Sequence, residues 1–219
     1  MTIEAAARQR YGVMREFLDS LQSYSLEVDR SYEEVQDDSG RKTFLAEVGR
    51  ILIVRPDRAR SRFMNDRGDS ELCYDGRTVH IFHALRNAWV ELPMTGNLVK
   101  LVEVMAERFN VMLPLANLLI GESKVLNIDL ALRGDYLGMH LVDSSRCHHL
   151  AFIQPKIDWQ VWIDAGEHPW PRKLVIVYKS DQSSPLSLAV FRNWIANPPL
   201  DADSFRFVPP EGAQKIELT

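Results

Sequence analysis

Apolar positions recur along most of this 219-residue chain with a period of two, the spacing that places alternate side chains on opposite faces of a β-strand. The clearest stretch runs from Cys147 to Tyr178. His149–Ile153 and Trp159–Ile163 alternate, lead into Asp164-Ala165-Gly166-Glu167, and after Pro169-Trp170-Pro171 the chain resumes as Lys173–Tyr178. This predicts a wide β-hairpin. Trp159, Val161 and Ile163 fall on one face and Gln160, Trp162 and Asp164 on the other, so both faces carry large apolar groups. Such a sheet needs two coverings, or one covering and a ligand.

Three interruptions of that period read as helices. Tyr11, Met14, Leu18 and Leu21, widened by Phe17, form one stripe with Thr2 as the expected N-cap and Glu4 set against the helix dipole. Mid-chain, Leu98, Leu101, Val102, Met105 and Phe109 form a second stripe, capped by Thr95 or Asn97. Pro114 suits the first turn of a short third helix carrying Leu115, Leu118 and Leu119 and ended by Gly121. Between and after them the strand period holds. Leu26 to Val35 is one strand, closed by Asp37-Asp38-Ser39-Gly40; Thr43–Val54 carries Gly49 where a bulge is expected; Ser61–Met64, Glu71–Tyr74, Thr78–His83 and Ala88–Leu92 make a meander. Val125–Leu130, Tyr136–Leu141, the wide hairpin, Leu186–Ile195 and Phe205–Phe207 complete about ten strands. No Ser/Gly linker or step in composition divides the chain, so residues 1–219 are expected to form a single domain.

Composition narrows the function. A net charge of -4 and a pI near 5.9 supply no basic field, which argues against nucleic acid as a partner. The longest apolar stretch, Val111–Ile120, is broken by Pro114 and Asn117 and falls short of a membrane span. Thr2–Leu21 reads as an amphipathic helix and not as a leader, which leaves either a cytoplasmic protein or an exported one whose leader has been removed. Cys73 and Cys147 both fall in predicted strands. Two buried thiols is one reading; a disulfide, if those strands are neighbours, is the other.

Candidate chemistry is sparse. Cys147-His148-His149 invites a metal or nucleophile, yet on a strand Cys147 and His149 share a face while His148 points away, and a zinc site needs three or four ligands. His140 would join them only if the register allows. His80 and His83 face opposite sides. No nucleophile elbow, zinc-protease motif, phosphate loop or dinucleotide fingerprint is present. The sequence therefore predicts no enzyme, no metal and no cofactor. The two mid-chain helices are Met- and Leu-rich, joined through Pro114 and inserted into a meander, and resemble a lid more than a scaffold. Methionine suits a surface that must fit several apolar shapes.

Several segments together resemble a known family. Val54-Arg55-Pro56-Asp57-Arg58-Ala59-Arg60 is similar to the strand-turn-strand segment of the bacterial lipoprotein-carrier superfamily (LolA/LolB-like). Tyr74-Asp75-Gly76-Arg77-Thr78, Leu113–Leu119, Cys147–Phe152, Pro171–Ile176 and Phe205–Ala213 are similar, in this order, to a family of predicted periplasmic proteins of unknown function within it. The resemblance implies a mainly β fold with helices: a strongly curved antiparallel half-barrel covered on its concave face by the N-terminal helix and the mid-chain pair. It also implies a periplasmic location. In the relatives, acyl chains of lipoproteins or lipids enter between sheet and helices. No position is assigned here to the carriers' lid-locking arginine, and no lipobox cysteine stands near the start.

The expected function is a non-enzymatic periplasmic carrier or sensor of an acyl chain or other apolar ligand. Leu101, Met105, Phe109, Leu115, Leu118 and Leu119 would line the site from the lid, and Trp89, Phe152, Trp159 and Val161 from the sheet. The rival is a regulatory module that binds an envelope protein and carries little or no cargo.

Overall fold

The computed structural model describes residues 2–36, 40–109, 113–121, 125–179, 183–201 and 203–217, apart from the side chains of Phe109 and Pro114. The expected turn residues Asp37, Asp38 and Ser39, and Met112 of the lid, lie outside the described residues. In chain order the elements are β1 (Thr2–Ile3), α1 (Ala5–Ser20), β2 (Ser23–Gln36), β3 (Arg41–Val54), β4 (Arg58–Asn65), β5 (Ser70–Tyr74), β6 (Thr78–His83), β7 (Ala88–Pro93), α2 (Leu98–Phe109), α3 (Pro114–Leu119), β8 (Arg133–Val142), β9 (Ser145–Ile153), β10 (Ile157–Asp164), β11 (Pro171–Tyr178), β12 (Leu186–Ala196) and β13 (Gln214–Lys215). The fold is mainly β with helices, as expected. Hydrogen bonding orders the strands β1-β8-β9-β10-β11-β12-β2-β3-β4-β5-β6-β7-β13. The two short strands β1 and β13 pair in parallel, with β8 and β7, and the longer registers are antiparallel.

Contacts group the chain into two compact units. The first comprises Met1–Ser20, Asp29–Ala46 and Lys124–Arg192, and the second Leu21–Val28, Glu47–Ser123 and Asn193–Thr219. In the first unit, α1 buries Ala7, Tyr11, Met14 and Leu18, the stripe its spacing predicts. Beneath Tyr11 lies one face of the β9–β10–β11 sheet, where Phe152, Trp159 and Ile176 stand in one cross-strand row and Leu150, Val161 and Leu174 in the next. In the second unit, β3 to β7 form a meander whose buried row is Ile53, Ala59, Tyr74 and Val79. There α2 buries Leu98, Leu101 and Met105, and α3 buries Leu115, Leu118 and Leu119.

Local chemistry corrects several expectations. Thr2 is not the cap of α1; it pairs with Arg133 in β1, and the carbonyl of Glu4 accepts the first helical bond, from Arg8 N at 3.1 Å. Asn97 does cap α2, its Oδ1 accepting from Lys100 N at 2.9 Å. Gly49 marks no bulge in the β3–β4 ladder, whose register is unbroken from Glu47↔Asn65 to Val54↔Arg58. The ring of Phe63 covers it instead, so closely that a Cβ would meet ring carbons. Val125–Leu130 is not a strand. Asn127 Oδ1 accepts from Asp129 N at 2.8 Å and caps a 3-10 turn over Ile128–Leu130, which buries Leu126 and Ile128 without a ladder. Phe205–Phe207 joins no strand either; the carbonyl of Phe205 accepts from the Cys73 thiol, and Phe207 stacks on His80. The wide hairpin is three strands, β9 to β11.

Cys73 and Cys147 are separate buried thiols. The strand of Cys73 pairs with β4 and β6, and that of Cys147 with β8 and β10. They are not neighbours, so the bridge between adjacent strands has no place to form.

Candidate functional site

In the first unit, α1 presents Tyr11 to two aromatic rings of the sheet. Tyr11 meets Phe152 edge-on at 6.0 Å and Trp159 at 5.8 Å, and Phe152 stacks on Trp159 at 4.3 Å. The stack exists because the two residues are register partners, Phe152 on β9 and Trp159 on β10. It has room because Gly134 is the next partner across: a Cβ there would stand 2.9 Å from the Phe152 ring. The Tyr11 hydroxyl donates to the carbonyl of Leu126 at 3.1 Å, and burial pushes its pKa up. Trp159 is 1% exposed, and its Nε1 is buried with no acceptor among the described residues. The sequence-predicted Phe152, Trp159 and Val161 thus share one buried face. Tyr11, which the sequence reading held only as a core position, joins the first two.

In the second unit α2 and α3 are tied at their ends. The Tyr74 hydroxyl donates to the carbonyl of Gly96 at 2.6 Å, and Leu98 N donates to the carbonyl of Pro56 at 2.9 Å, which anchors the start of α2. The far end of α3 is held twice: the Tyr24 hydroxyl donates to Leu119 O at 2.6 Å, and Arg55 Nη1 to Ile120 O at 3.1 Å. These carbonyls belong to the last turn, whose acceptors have no helical partner of their own. Gly121, at φ +86°, then turns the chain away. Between the tethers, Leu101, Met105, Leu115, Leu118 and Leu119 are buried. The backbone places Phe109 at the end of α2, and its side chain is outside the described residues.

Trp89 is not brought together with these. By alternation it shares a face with Cys73, His80 and Phe82, opposite Tyr74, Val79 and Val90. There it lies 5.5 Å from Phe207 and under the Lys215 ammonium.

Sequence reasoning missed the tethers. Arg55 stands in the segment that carries the family resemblance, yet nothing in a sequence distinguishes a guanidinium on a helix carbonyl from one in water. Tyr24 lies two residues before Leu26, the first position of its predicted strand, and so is not counted with the inward-facing row. Arg55→Ala and Tyr24→Phe are each expected to cost about 1–2 kcal/mol. Hydrogen exchange should locate the loss, with faster exchange over Pro114–Ile120 and unchanged exchange in β5 and β6.

The histidine cluster resolves by face. His148 points to the α1 side, its Nδ1 3.0 Å from the Tyr136 hydroxyl, and burial lowers its pKa. His149 points to the other face and stacks on Trp162 at 3.9 Å. Its Nε2–H donates to Gln160 Oε1 at 2.9 Å, which leaves Nδ1 to accept from His140 Nδ1–H at 2.8 Å. Cys147 lies opposite His140 in the ladder, but its thiol donates to the Ser145 carbonyl and burial pushes its pKa up to about 11. A thiol so held is no nucleophile near neutrality. Among the described residues no three His, Cys, Asp or Glu side chains are grouped to hold a metal.

Residues 7–219 match the family model described as "Predicted periplasmic protein (DUF2092)". No curated protein matches the chain. Among solved structures it is similar to an uncharacterized conserved protein from Thermus thermophilus, at 11% identity over 96% of this chain and 98% of that chain, with a TM-score of 0.55. It is also similar to the Mycobacterium tuberculosis lipoprotein LppX, at 14% identity over 90% and 99%, TM-score 0.53. LprF from Mycobacterium bovis follows at 12% over 96% and 98%, TM-score 0.51. At these identities the likeness is one of fold. Among the described residues no helix is long and apolar enough to cross a membrane.

Proposed function

Because the chain belongs to the DUF2092 family of predicted periplasmic proteins, we propose that it is a non-enzymatic periplasmic carrier or sensor that binds an acyl chain or similar apolar ligand against its sheet, under helical cover. The observation that carries this reading is the way α2 and α3 are attached. Directed hydrogen bonds from outside the pair tie it at its ends, at Gly96 and Leu98 and at Leu119 and Ile120. The middle contributes interchangeable apolar side chains, Leu101, Met105, Leu115, Leu118 and Leu119. Leu and Met surfaces exchange one apolar neighbour for another at little cost, since no polar group loses a partner. A helix of six residues has little stability of its own. Its hold on the protein therefore depends on docking, to which Tyr24 and Arg55 add directed bonds beside the burial of Leu115, Leu118 and Leu119.

In the second unit the proposed contacts are those five residues, with Phe109 included by its place on α2. In the first unit Phe152, Trp159 and Val161 form a buried apolar face of their own, proposed by itself as a ligand contact. Trp89 drops out, since it faces the other side of the sheet. Burying ten methylenes of an acyl chain yields about 8 kcal/mol before ordering costs, and loss of part of that leaves affinity in the micromolar class. Catalysis plays no part in the reading, and the cargo is a lipid, a lipoprotein acyl chain or another apolar molecule.

The test is native mass spectrometry of protein purified from its own envelope, followed by solvent extraction. Co-purifying lipid is the expected result, displaced in proportion by an added fluorescent fatty acid. An empty extract together with no uptake of the fatty acid would overturn the carrier reading and leave the protein-binding module as its successor.

A further inference from the structure

Trp159 sits in the centre of the aromatic cluster beneath α1, and it carries a donor that nothing described accepts. A buried indole N–H ordinarily finds a partner, and one left without destabilises the fold. The surroundings explain the lack. Phe152 covers one face of the indole at 4.3 Å and Tyr11 stands against it at 5.8 Å. The Tyr11 hydroxyl points to Leu126 O and makes no hydrogen bond with the indole nitrogen. The cross-strand partner of Trp159 on β11 is Ile176, and the next row on the same face is Leu150, Val161 and Leu174. The polar residues of β10, Asp158, Gln160 and Asp164, alternate to the opposite face. Ser187, register partner of Ile176, is taken by Arg30, whose Nε donates to its Oγ at 3.0 Å.

We propose that Trp159 Nε1 is the polar anchor of the apolar site, and that the ligand is an acyl compound whose carbonyl oxygen accepts this hydrogen bond. The inference rests on the carrier reading and narrows it. A plain hydrocarbon would make the same apolar contacts but leave the indole donor unsatisfied, whereas a fatty ester would make them and supply the missing acceptor. Selection thus comes from one buried donor in an otherwise apolar wall, which discriminates against any ligand without an acceptor.

The experiment compares delipidated wild-type protein with Trp159→Phe. Methyl palmitate and hexadecane, each delivered from cyclodextrin, displace diphenylhexatriene as a fluorescent hydrocarbon reporter. Wild type is expected to prefer the ester by about tenfold, the worth of one buried hydrogen bond. Trp159→Phe should lose that preference, with ester and hexadecane displacing the reporter equally well. An ester preference that survives the substitution would assign the N–H to the Tyr11 ring and overturn the proposal, as would a wild type without preference. Failure of the reporter and both ligands to bind wild type would overturn the carrier reading itself. Should the variant fold poorly, infrared spectra of carbonyl-labelled methyl palmitate on wild type decide the matter: a stretch shifted to lower wavenumber than in hexane supports the bond, and an unshifted one refutes it.

Discussion

Phe152→Ala should destabilise the protein by about 3–5 kcal/mol, read as a fall in the urea midpoint at constant slope. Phe152 is 1% exposed and is the hinge of the cluster, stacked on Trp159, edge-on to Tyr11 and seated over Gly134. Removing it forfeits the transfer energy of the ring and the aromatic geometry with two neighbours. The cavity left behind cannot close, because Gly134 has no side chain to advance and β8 is fixed by its ladder with β9. Gly134→Ala approaches the same contact from the other side. Its new Cβ would lie 2.9 Å from the ring, and shifting a ring wedged between Trp159 and Tyr11 costs about 1–3 kcal/mol. A loss below about 1 kcal/mol for Phe152→Ala would mean the cavity collapses freely and the cluster is not the rigid floor that the Trp159 anchor requires.

How far this arrangement could be read in the sequence depends on how local each determinant is. The stripe Tyr11, Met14 and Leu18, and the alternation of Trp159, Val161 and Ile163, are set by periodicity within a dozen residues, and their burial follows it. The face assignments of His148 and His149 came out for the same reason. Determinants that depend on contacts distant in sequence did not. That Phe152 lies over Gly134, that Tyr24 reaches Leu119, and that Arg55 reaches Ile120 depend on register and docking, and a single sequence encodes neither. Trp89 was misplaced for a related reason: periodicity assigns residues to alternating faces but does not say which face the helices take. Phe205–Phe207 shows the limit of the period itself. Two aromatics spaced by two describe a strand as well as they describe a loop segment that drops Phe207 onto His80.

Stability is also expected to decline steeply as the pH rises from 9.0 toward 11, and the two cysteines should account for much of it. Burial pushes the thiols of Cys73 and Cys147 from an ordinary 9.0 up to about 11. A pKa raised by folding means that the native chain keeps a proton the unfolded chain gives up. The contribution is therefore whole below 9.0, where both states hold the proton, and is lost as the pH passes up through the folded value. A gap of that size amounts to about 3 kcal/mol for each thiol. Tyr11, Tyr74 and Tyr178 are raised by burial as well and add to the decline from about pH 10 upward. Cys73 has a structural consequence of its own, since its S–H donates to the Phe205 carbonyl. A thiolate has no proton to give and would repel that oxygen, so the segment around Phe205 should loosen early in the transition. Urea titrations at pH 9.0 and pH 11 on wild type and on the Cys73→Ala/Cys147→Ala double variant separate the two sources. The variant starts lower, having lost two packed side chains, but its decline across the window should be shallower by several kcal/mol. Parallel declines would show that the thiols ionise no differently in the folded protein than in the unfolded chain.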